Sequence, residues 1–232
     1  MKGHSAQISS DEKSFTQSAT DFLAQEILSA IEHRGRALIG LSGGSTPRPI
    51  YEALGKSKKI DWGKVWIFLV DDRYIRADDP KSNQFLIRST LLKNAPIPES
   101  QIIFPDVSLP LLQCIDLYAK HLKVVFQKGL PDVITLGMGD DGHIASLFPP
   151  LSNLAMGDER LVLHTTTDQF DVHDRISVSL NTLASAKASV FFLAGAAKKK
   201  AWEEMLTSTE DARRWPAKAV LEHTEAKVFA IW

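Results

Sequence analysis

The sequence has 232 residues, of which 44% are hydrophobic, and its 27 basic and 28 acidic side chains give a formal net charge of −1. The single cysteine excludes an internal disulfide framework, and no apolar run approaches the roughly 18 residues that a transmembrane helix needs. The polar start lacks the apolar core of a secretion signal, and the longest basic run is three lysines. We therefore expect a cytoplasmic protein that binds neither nucleic acid nor membranes.

Short apolar runs alternate along the chain with longer stretches in which apolar residues recur at helical spacing. This alternation is typical of a largely parallel sheet covered by helices on both faces. The expected fold class is therefore α/β, a three-layer α/β/α Rossmann-like fold, with residues 1–232 forming a single domain and residues 1–9 a disordered tail. In chain order the predicted elements are helix 10–33, strand 36–41, helix 46–54, strand 65–70, helix 82–92, helix 111–127, strand 132–136, strands 161–163, 176–180 and 190–193, helix 196–206, helix 216–221 and strand 228–231.

The first strand end that carries polar residues runs into Ser42, Gly43, Gly44, Ser45 and Thr46. In parallel α/β sheets ligands bind at the carboxyl ends of the strands, and two glycines let the backbone approach a ligand closely. The following helix would add N–H donors and the side chains hydroxyl donors, which suits phosphate. The alternative is a tight turn with a serine or threonine cap. The spacing matches neither the P-loop nor the dinucleotide-binding pattern.

The second strand end carries Asp71, Asp72 and Arg73, and Ser82 and Asn83 follow at the start of the next predicted helix. Two carboxylates and an arginine directly after a buried strand are costly unless they are paired or bind a ligand. The segment is therefore either part of a binding site or a salt-bridged loop that precedes a helix cap.

The third strand end places Asp141 and His143 among the glycines Gly137, Gly139 and Gly142. Histidine titrates near neutrality and can take a proton from water, and a neighbouring carboxylate can orient its ring. His143 is therefore the leading candidate for a general base. The residues around it do not have the spacing of metal ligands.

Two cations near later strands complete the candidates. Arg175 lies at the edge of a predicted strand, and Lys198 lies in the first turn of a predicted helix. A cation there opposes the helix dipole, which favours an anion as its partner. The alternative for Lys198 is a solvated basic cluster with Lys199 and Lys200.

Together these segments resemble the 6-phosphogluconolactonase family over about residues 10–232. The resemblance implies the fold of the glucosamine-6-phosphate deaminases and hydrolysis of 6-phospho-D-glucono-1,5-lactone in the oxidative pentose phosphate pathway. The segments that carry the resemblance are Ser42-Gly43-Gly44-Ser45-Thr46-Pro47, Asp71-Asp72-Arg73, Asp79-Pro80-x-Ser82-Asn83, Gly137-Met138-Gly139-x-Asp141-Gly142-His143-x-Ala145-Ser146-Leu147-Phe148-Pro149, Arg175-Ile176-Ser177, Gly195-x-x-Lys198 and Pro216-Ala217-x-x-Val220.

Two positions distinguish this chain from the deaminases. The deaminases place a glutamate five residues after the histidine, where this chain has Phe148, and they have Asp-Glu-Tyr where this chain has Asp71-Asp72-Arg73. Asp72 is itself a departure, because lactonases usually have glutamate there. The resemblance favours a lactonase, with a deaminase and a non-catalytic sugar-phosphate-binding module as the alternatives.

The resemblance implies a role for each candidate residue. His143 is expected to be the general base, Asp141 its orienting carboxylate, and Arg73 a ligand of either the phosphate or the developing oxyanion. Neither a metal nor a cofactor is expected, the partner is a small sugar-phosphate lactone, and the chain is expected to be a monomer or a weak homodimer. The expected substrate and phosphate contacts are Ser42, Gly43, Gly44, Ser45, Thr46, Asp71, Arg175 and Lys198.

Overall fold

The fold is organised around a parallel sheet of seven strands in the computed structural model, which describes residues 4–157 and 159–232. The strands are β1 (His4–Ser9), β2 (Ala37–Leu41), β3 (Val65–Leu69), β4 (Asp71–Arg73), β5 (Ile102–Ile103), β6 (Val133–Leu136), β7 (Val162–Thr166), β8 (Asp174–Val178), β9 (Ala188–Ala194) and β10 (Glu225–Ile231). The helices are α1 (Glu12–Arg34), α2 (Arg48–Gly55), α3 (Asn83–Ser89), α4 (Leu111–Phe126), α5 (Asn153–Met156), α6 (Leu180–Ala184), α7 (Ala196–Thr207) and α8 (Ala217–His223), with short 3-10 helices at Trp62–Lys64 and Glu99–Gln101.

Helices cover both faces of the seven-stranded sheet. Successive residues of a strand point to opposite faces, so Leu38 joins the core formed with α4, α7 and α8, whereas Ile39 joins the core formed with α1, α2 and α3. Because both faces are buried, the strands read as continuous apolar runs. The predicted three-layer α/β/α fold with a mainly parallel sheet is confirmed.

A second, antiparallel sheet of β4, β8 and β7 was not expected from the sequence. Residues 161–163 and 176–180, predicted as strands of the main sheet, contribute to β7 and β8 instead. The prediction also runs too far, because Ser179 accepts a hydrogen bond from the Thr182 N–H at 3.2 Å and so caps α6. Val70 joins the sheets, since its N–H donates to the Leu41 carbonyl and its own carbonyl accepts from Val178.

The predicted disordered tail over residues 1–9 is wrong for His4–Ser9, which form β1 and pair in parallel with β10. This edge strand is held by backbone hydrogen bonds, and five of its six side chains are exposed, Ile8 among them. Its side chains therefore carry little of the apolar pattern that marks a buried strand. Residues 1–3, the rest of that prediction, lie outside the described residues.

The strand order β1-β10-β9-β6-β2-β3-β5 reverses direction between β2 and β6. From β2 the chain continues outward to β3 and β5, and from β6 it continues the other way to β9 and β10. The carboxyl ends of the two central strands therefore border a crevice, the place where open parallel sheets bind ligands. No helix within the described residues has the length and apolar character needed to cross a membrane.

Candidate active site

A cavity of about 480 Å³, here called the first cavity, opens in this crevice. It brings together most of the side chains that the sequence singled out, although they come from five separate parts of the chain. Ser45 lines a neighbouring second cavity instead, and Thr46 lines neither of the two. The predicted site residues that line the first cavity are Ser42, Gly43, Gly44, Asp71, Arg73, Asp141, His143, Arg175 and Lys198.

His143 and Asp141 form a hydrogen-bonded pair in the loop after β6. The Asp141 carboxylate lies 2.6 Å from His143 Nδ1 and also accepts the His143 backbone N–H at 3.1 Å. With Nδ1 holding the proton that the carboxylate binds, the neutral ring presents Nε2 as a base. Nε2 has no hydrogen-bond partner among residues 4–157 and 159–232. The pair has the geometry of a base with its orienting carboxylate.

Two glycines shape the loop that carries this pair. The Gly139 N–H donates to the His143 carbonyl at 2.8 Å, and a Cβ on Gly139 would overlap the His143 ring and the Asp141 carboxylate. Gly142 has a φ of 90°, which side chains rarely adopt, and a Cβ there would overlap the Trp215 ring. The glycine-rich sequence is therefore needed for the loop to close around His143.

The environment of the pair is partly apolar. Phe148 packs at 4.8 Å from the His143 ring centroid, and Phe170 lies edge-on at 5.9 Å. Burial raises the pKa of Asp141, but its hydrogen bonds and charge interaction with His143 outweigh burial and lower that pKa overall. The carboxylate therefore stays ionised and holds the ring.

The loop after β2 brings backbone close to the ligand space. A Cβ on Gly43 would overlap the Asn83 amide, and Gly44 has a φ of 101°. The helix that follows begins at Arg48, not at the predicted residue 46, and its Pro47 cap makes no side-chain hydrogen bond. Because Pro47 and Pro49 have no N–H, the start of α2 offers fewer N–H donors to an anion than the sequence predicts. Binding of an anion here would therefore depend more on nearby cationic side chains.

The two carboxylates at the second strand end have different roles: Asp72 is structural, and Asp71 faces the cavity. Asp72 is fully buried and accepts hydrogen bonds from the N–H groups of Asn83 at 2.7 Å and Arg73 at 2.8 Å and from the Ser82 hydroxyl. It therefore anchors the start of α3. Asp71 faces the first cavity and accepts from the Ser146 hydroxyl at 2.6 Å.

We expect Asp72 to make the free energy of unfolding depend on pH. Burial raises its pKa to about 6 despite its backbone hydrogen bonds, above the value of about 3.9 in an unfolded chain. Protonated Asp72 thus contributes stability that is fully present below about pH 4 and lost as the pH rises through about 6. Urea unfolding between pH 5 and 7.5 should show the wild type losing stability relative to Asp72→Asn. A difference that is constant with pH would contradict this.

Arg73 and Arg175 lie directly opposite each other in the β4–β8 pair and both face the first cavity. Like charges in such a pair are unfavourable. Desolvation, followed by the charge of Arg73, lowers the pKa of Arg175. The Arg73 guanidinium is held by the Lys81 carbonyl and the Asn83 side chain. Two mutually repelling cations held side by side are an arrangement that a bound anion would stabilise.

Lys198 makes different contacts from Lys199 and Lys200, the two lysines that follow it. It lines the first cavity and donates to the Met138 carbonyl in the loop after β6. Lys199 and Lys200 instead lie 3.8 Å from glutamates one turn further along α7. The alternative of one solvated basic cluster is therefore wrong for Lys198.

Three residues that shape the site were not predicted from the sequence as site residues. Asn83 is named in the sequence only within the second strand-end segment and the resemblance, with no role of its own, yet it holds Arg73 and is buried beside Asp71. Phe170 comes from a polar loop with no pattern that could have marked it. Arg214 donates to the Asp141 carbonyl at 2.8 Å and stacks 3.8 Å from the Trp215 ring centroid. No signal in the sequence marks Arg214.

The fold and much of the sequence match known proteins. A probable 6-phosphogluconolactonase of Dictyostelium discoideum is 44% identical over 225 residues, which cover 96% of this chain and 95% of that protein. A 6-phosphogluconolactonase of Synechocystis sp. is 37% identical over 84% of this chain and 81% of its own length. The solved 6-phosphogluconolactonase of Plasmodium vivax has a TM-score of 0.90 at 29% identity, covering 100% of this chain and 90% of that one.

A monomeric glucosamine-6-phosphate deaminase is similar in fold, with a TM-score of 0.83 at 18% identity over 97% of this chain and 96% of that one. The profile of the family described as glucosamine-6-phosphate isomerases/6-phosphogluconolactonase matches residues 10–230. The resemblance drawn from the sequence is thereby confirmed. This chain belongs to the glucosamine-6-phosphate isomerase/6-phosphogluconolactonase family.

Proposed function

We propose that this chain hydrolyses 6-phospho-D-glucono-1,5-lactone to 6-phospho-D-gluconate, the lactonase step of the oxidative pentose phosphate pathway. The observation that carries the proposal is one cavity with a His143–Asp141 pair in the β6 loop and a pair of arginines on the second sheet. Relatives with lactonase names that cover nearly the whole chain support it. Because the cavity draws on residues from 42 to 198, we propose that the chain acts as one catalytic domain.

The substrate is a phosphate dianion at one end and an electrophilic ester carbonyl at the other. The loop of Ser42, Gly43 and Gly44, together with Arg175 and Lys198, binds the phosphate. We assign Arg73 to the same end, because it faces Arg175 across the β4–β8 pair. Arginine suits this role, since its planar guanidinium can donate two parallel hydrogen bonds to a phosphate.

His143 acts as general base on water. As the water oxygen bonds to the carbonyl carbon C1, His143 Nε2 takes the proton, and the carbonyl oxygen becomes the oxyanion of a tetrahedral intermediate. When the intermediate collapses, the bond between C1 and the ring oxygen breaks. The imidazolium then returns the proton to the ring oxygen, which becomes the C5 hydroxyl of the open acid. Asp141 keeps the ring aligned and stabilises its transient positive charge.

The environment of His143 argues against the deaminase alternative. The deaminases carry a glutamate at the position of Phe148, and here a phenyl ring packs on the imidazole at 4.8 Å. A carboxylate that could shuttle a further proton is therefore replaced by an apolar surface. The binding-module alternative does not explain why an aligned base faces the cavity.

A lactone-decay assay tests the proposal. The substrate is generated in place by oxidation of glucose 6-phosphate, and the spontaneous hydrolysis rate is subtracted. Decay at the background rate would overturn the lactonase proposal, and ammonia release from glucosamine 6-phosphate would identify a deaminase instead.

We expect Arg214→Met to lower kcat by about tenfold and to leave KM nearly unchanged. Arg214 contacts the Asp141 backbone and not the phosphate end, and a hydrogen bond from a charged group contributes about 1.5–3 kcal/mol. Arg213→Met is the matched control, because Arg213 binds the Leu151 carbonyl and the Asn153 side chain instead. Steady-state kinetics of both variants check this, and a rise in KM with unchanged kcat would contradict a role in positioning the pair.

A further inference from the structure

A second cavity of about 430 Å³ adjoins the first. The two share a wall that includes Arg73, Phe170 and Arg175, but the second extends outward past Ser45 to the start of α2. The proposed lactone carries one phosphate, and the first cavity supplies contacts for it. The second cavity therefore has no occupant in the proposed reaction.

The second cavity is strongly cationic. Among the described residues that line it, the charged side chains are Arg48, Arg73, Lys81 and Arg175 against one carboxylate, that of Asp171. Asp171 is paired with Lys81 at 2.6 Å, and this contact raises the pKa of Lys81 and lowers that of Asp171. Arg48, Arg73 and Arg175 are then left without a balancing carboxylate in the cavity. The lactone phosphate would occupy Arg73 and Arg175, so Arg48 is the cation that the proposed reaction does not use.

Two of these arginines have free donors. The Arg48 side chain makes no hydrogen bond or ion pair within residues 4–157 and 159–232, and only its backbone N–H donates, to the Ser45 carbonyl. Arg175 is 5% exposed, and its only side-chain hydrogen bond runs from Nε to the Val172 carbonyl, so its terminal nitrogens are unpaired in the described part of the chain. The lactone phosphate would take up the free donors of Arg175 from the first cavity, whereas the free donors of Arg48 face only the second cavity and would be satisfied by a further anion.

We propose that the second cavity binds a second phosphoryl dianion, either inorganic phosphate or the second phosphoryl group of a bisphosphorylated sugar. Arg48 and the Ser45 hydroxyl bind it from the outer side, and Lys81 joins them when it releases Asp171. This site goes beyond the proposed lactonase activity, which needs only the first cavity. Side-chain cations dominate it, because the prolines at the start of α2 remove backbone donors.

The test is titration of inorganic phosphate into wild-type protein saturated with 6-phosphogluconate, followed by calorimetry. We expect a phosphate-binding event in that complex. Arg48→Gln should weaken it by about tenfold, the loss of one charge-assisted contact. Asp171→Asn should tighten it, because that change frees Lys81 and removes the opposing charge. Lys59→Gln removes a charge beyond the other end of α2 and should change nothing.

Fructose 1,6-bisphosphate distinguishes the two sources of the dianion. A ligand that spans both cavities should displace 6-phosphogluconate and lose affinity in Arg48→Gln, whereas 6-phosphogluconate itself should bind that variant normally. Inorganic phosphate that binds only in competition with 6-phosphogluconate, or that binds Arg48→Gln and Lys81→Gln as tightly as the wild type, would overturn the second site.

Failure of this inference is separable from failure of the lactonase proposal. Binding of 6-phosphogluconate is measured first, and its absence would count against the lactonase proposal alone. Phosphate would then be titrated into the unliganded protein, where the opposite effects of Arg48→Gln and Asp171→Asn still decide the second site.

Discussion

In His143→Ala we expect kcat for lactone hydrolysis to fall by about 10²–10⁴-fold, the range that general acid–base catalysis contributes. The variant removes the group that takes the proton from water and returns it to the ring oxygen. KM should change little, because the phosphate contacts come from other elements. Initial rates of lactone decay check this after subtraction of spontaneous hydrolysis, with thermal unfolding to show that the variant is folded.

His164 provides a matched control for this experiment. Its Nε2 lies 2.7 Å from the Asp174 carboxylate, so it also forms a histidine–carboxylate pair, but neither residue lines the first cavity. His164→Ala should therefore leave kcat unchanged. The kcat of Asp141→Asn should lie between those of His143→Ala and His164→Ala, since the base remains but its orientation and charge partner are lost. Near wild-type turnover by His143→Ala would remove the proposed mechanism.

The sequence could predict where the site forms because the rule for parallel sheets is local. Glycines and acids directly after the apolar run of β6 indicate a strand end, and strand ends of a parallel sheet share one edge. This rule predicts that Ser42, Asp71 and His143 lie close together, and all three line the first cavity. Their individual roles were less predictable. Asp71 and Asp72 are neighbours in sequence, yet one faces the cavity and the other caps a helix.

The parts that sequence could not supply depend on pairing between distant segments. Asp71–Arg73 contains only charged residues, so no apolar alternation marks it as a strand. Its pairing with β8 is what sets Arg73 against Arg175. Arg214 likewise acts only through a contact with a backbone carbonyl in another loop. Such contacts follow from the assembled fold and leave no local pattern.

Arg175→Met should raise KM by about 100-fold and leave kcat within a few-fold of the wild type. Two charge-assisted hydrogen bonds to a phosphate together account for such a change, since each contributes about 1.5–3 kcal/mol and 1.4 kcal/mol is tenfold. Methionine keeps an apolar side chain against Phe170, over which the Arg175 guanidinium lies at 5.3 Å. The lactone end would still meet His143 once the substrate is bound.

Arg36→Met is the control, because Arg36 also lies over an aromatic ring, that of Trp66, and also donates to a backbone carbonyl, that of Val125. It does not line either cavity, so its KM should match the wild type. The unliganded proteins give a second readout of opposite sign. Desolvation and the charge of Arg73 make the Arg175 cation unfavourable without a ligand, so Arg175→Met should unfold at a higher temperature than the wild type. An unchanged KM would contradict the phosphate assignment, and a lower unfolding temperature would show that the arginine pair is not held in mutual repulsion.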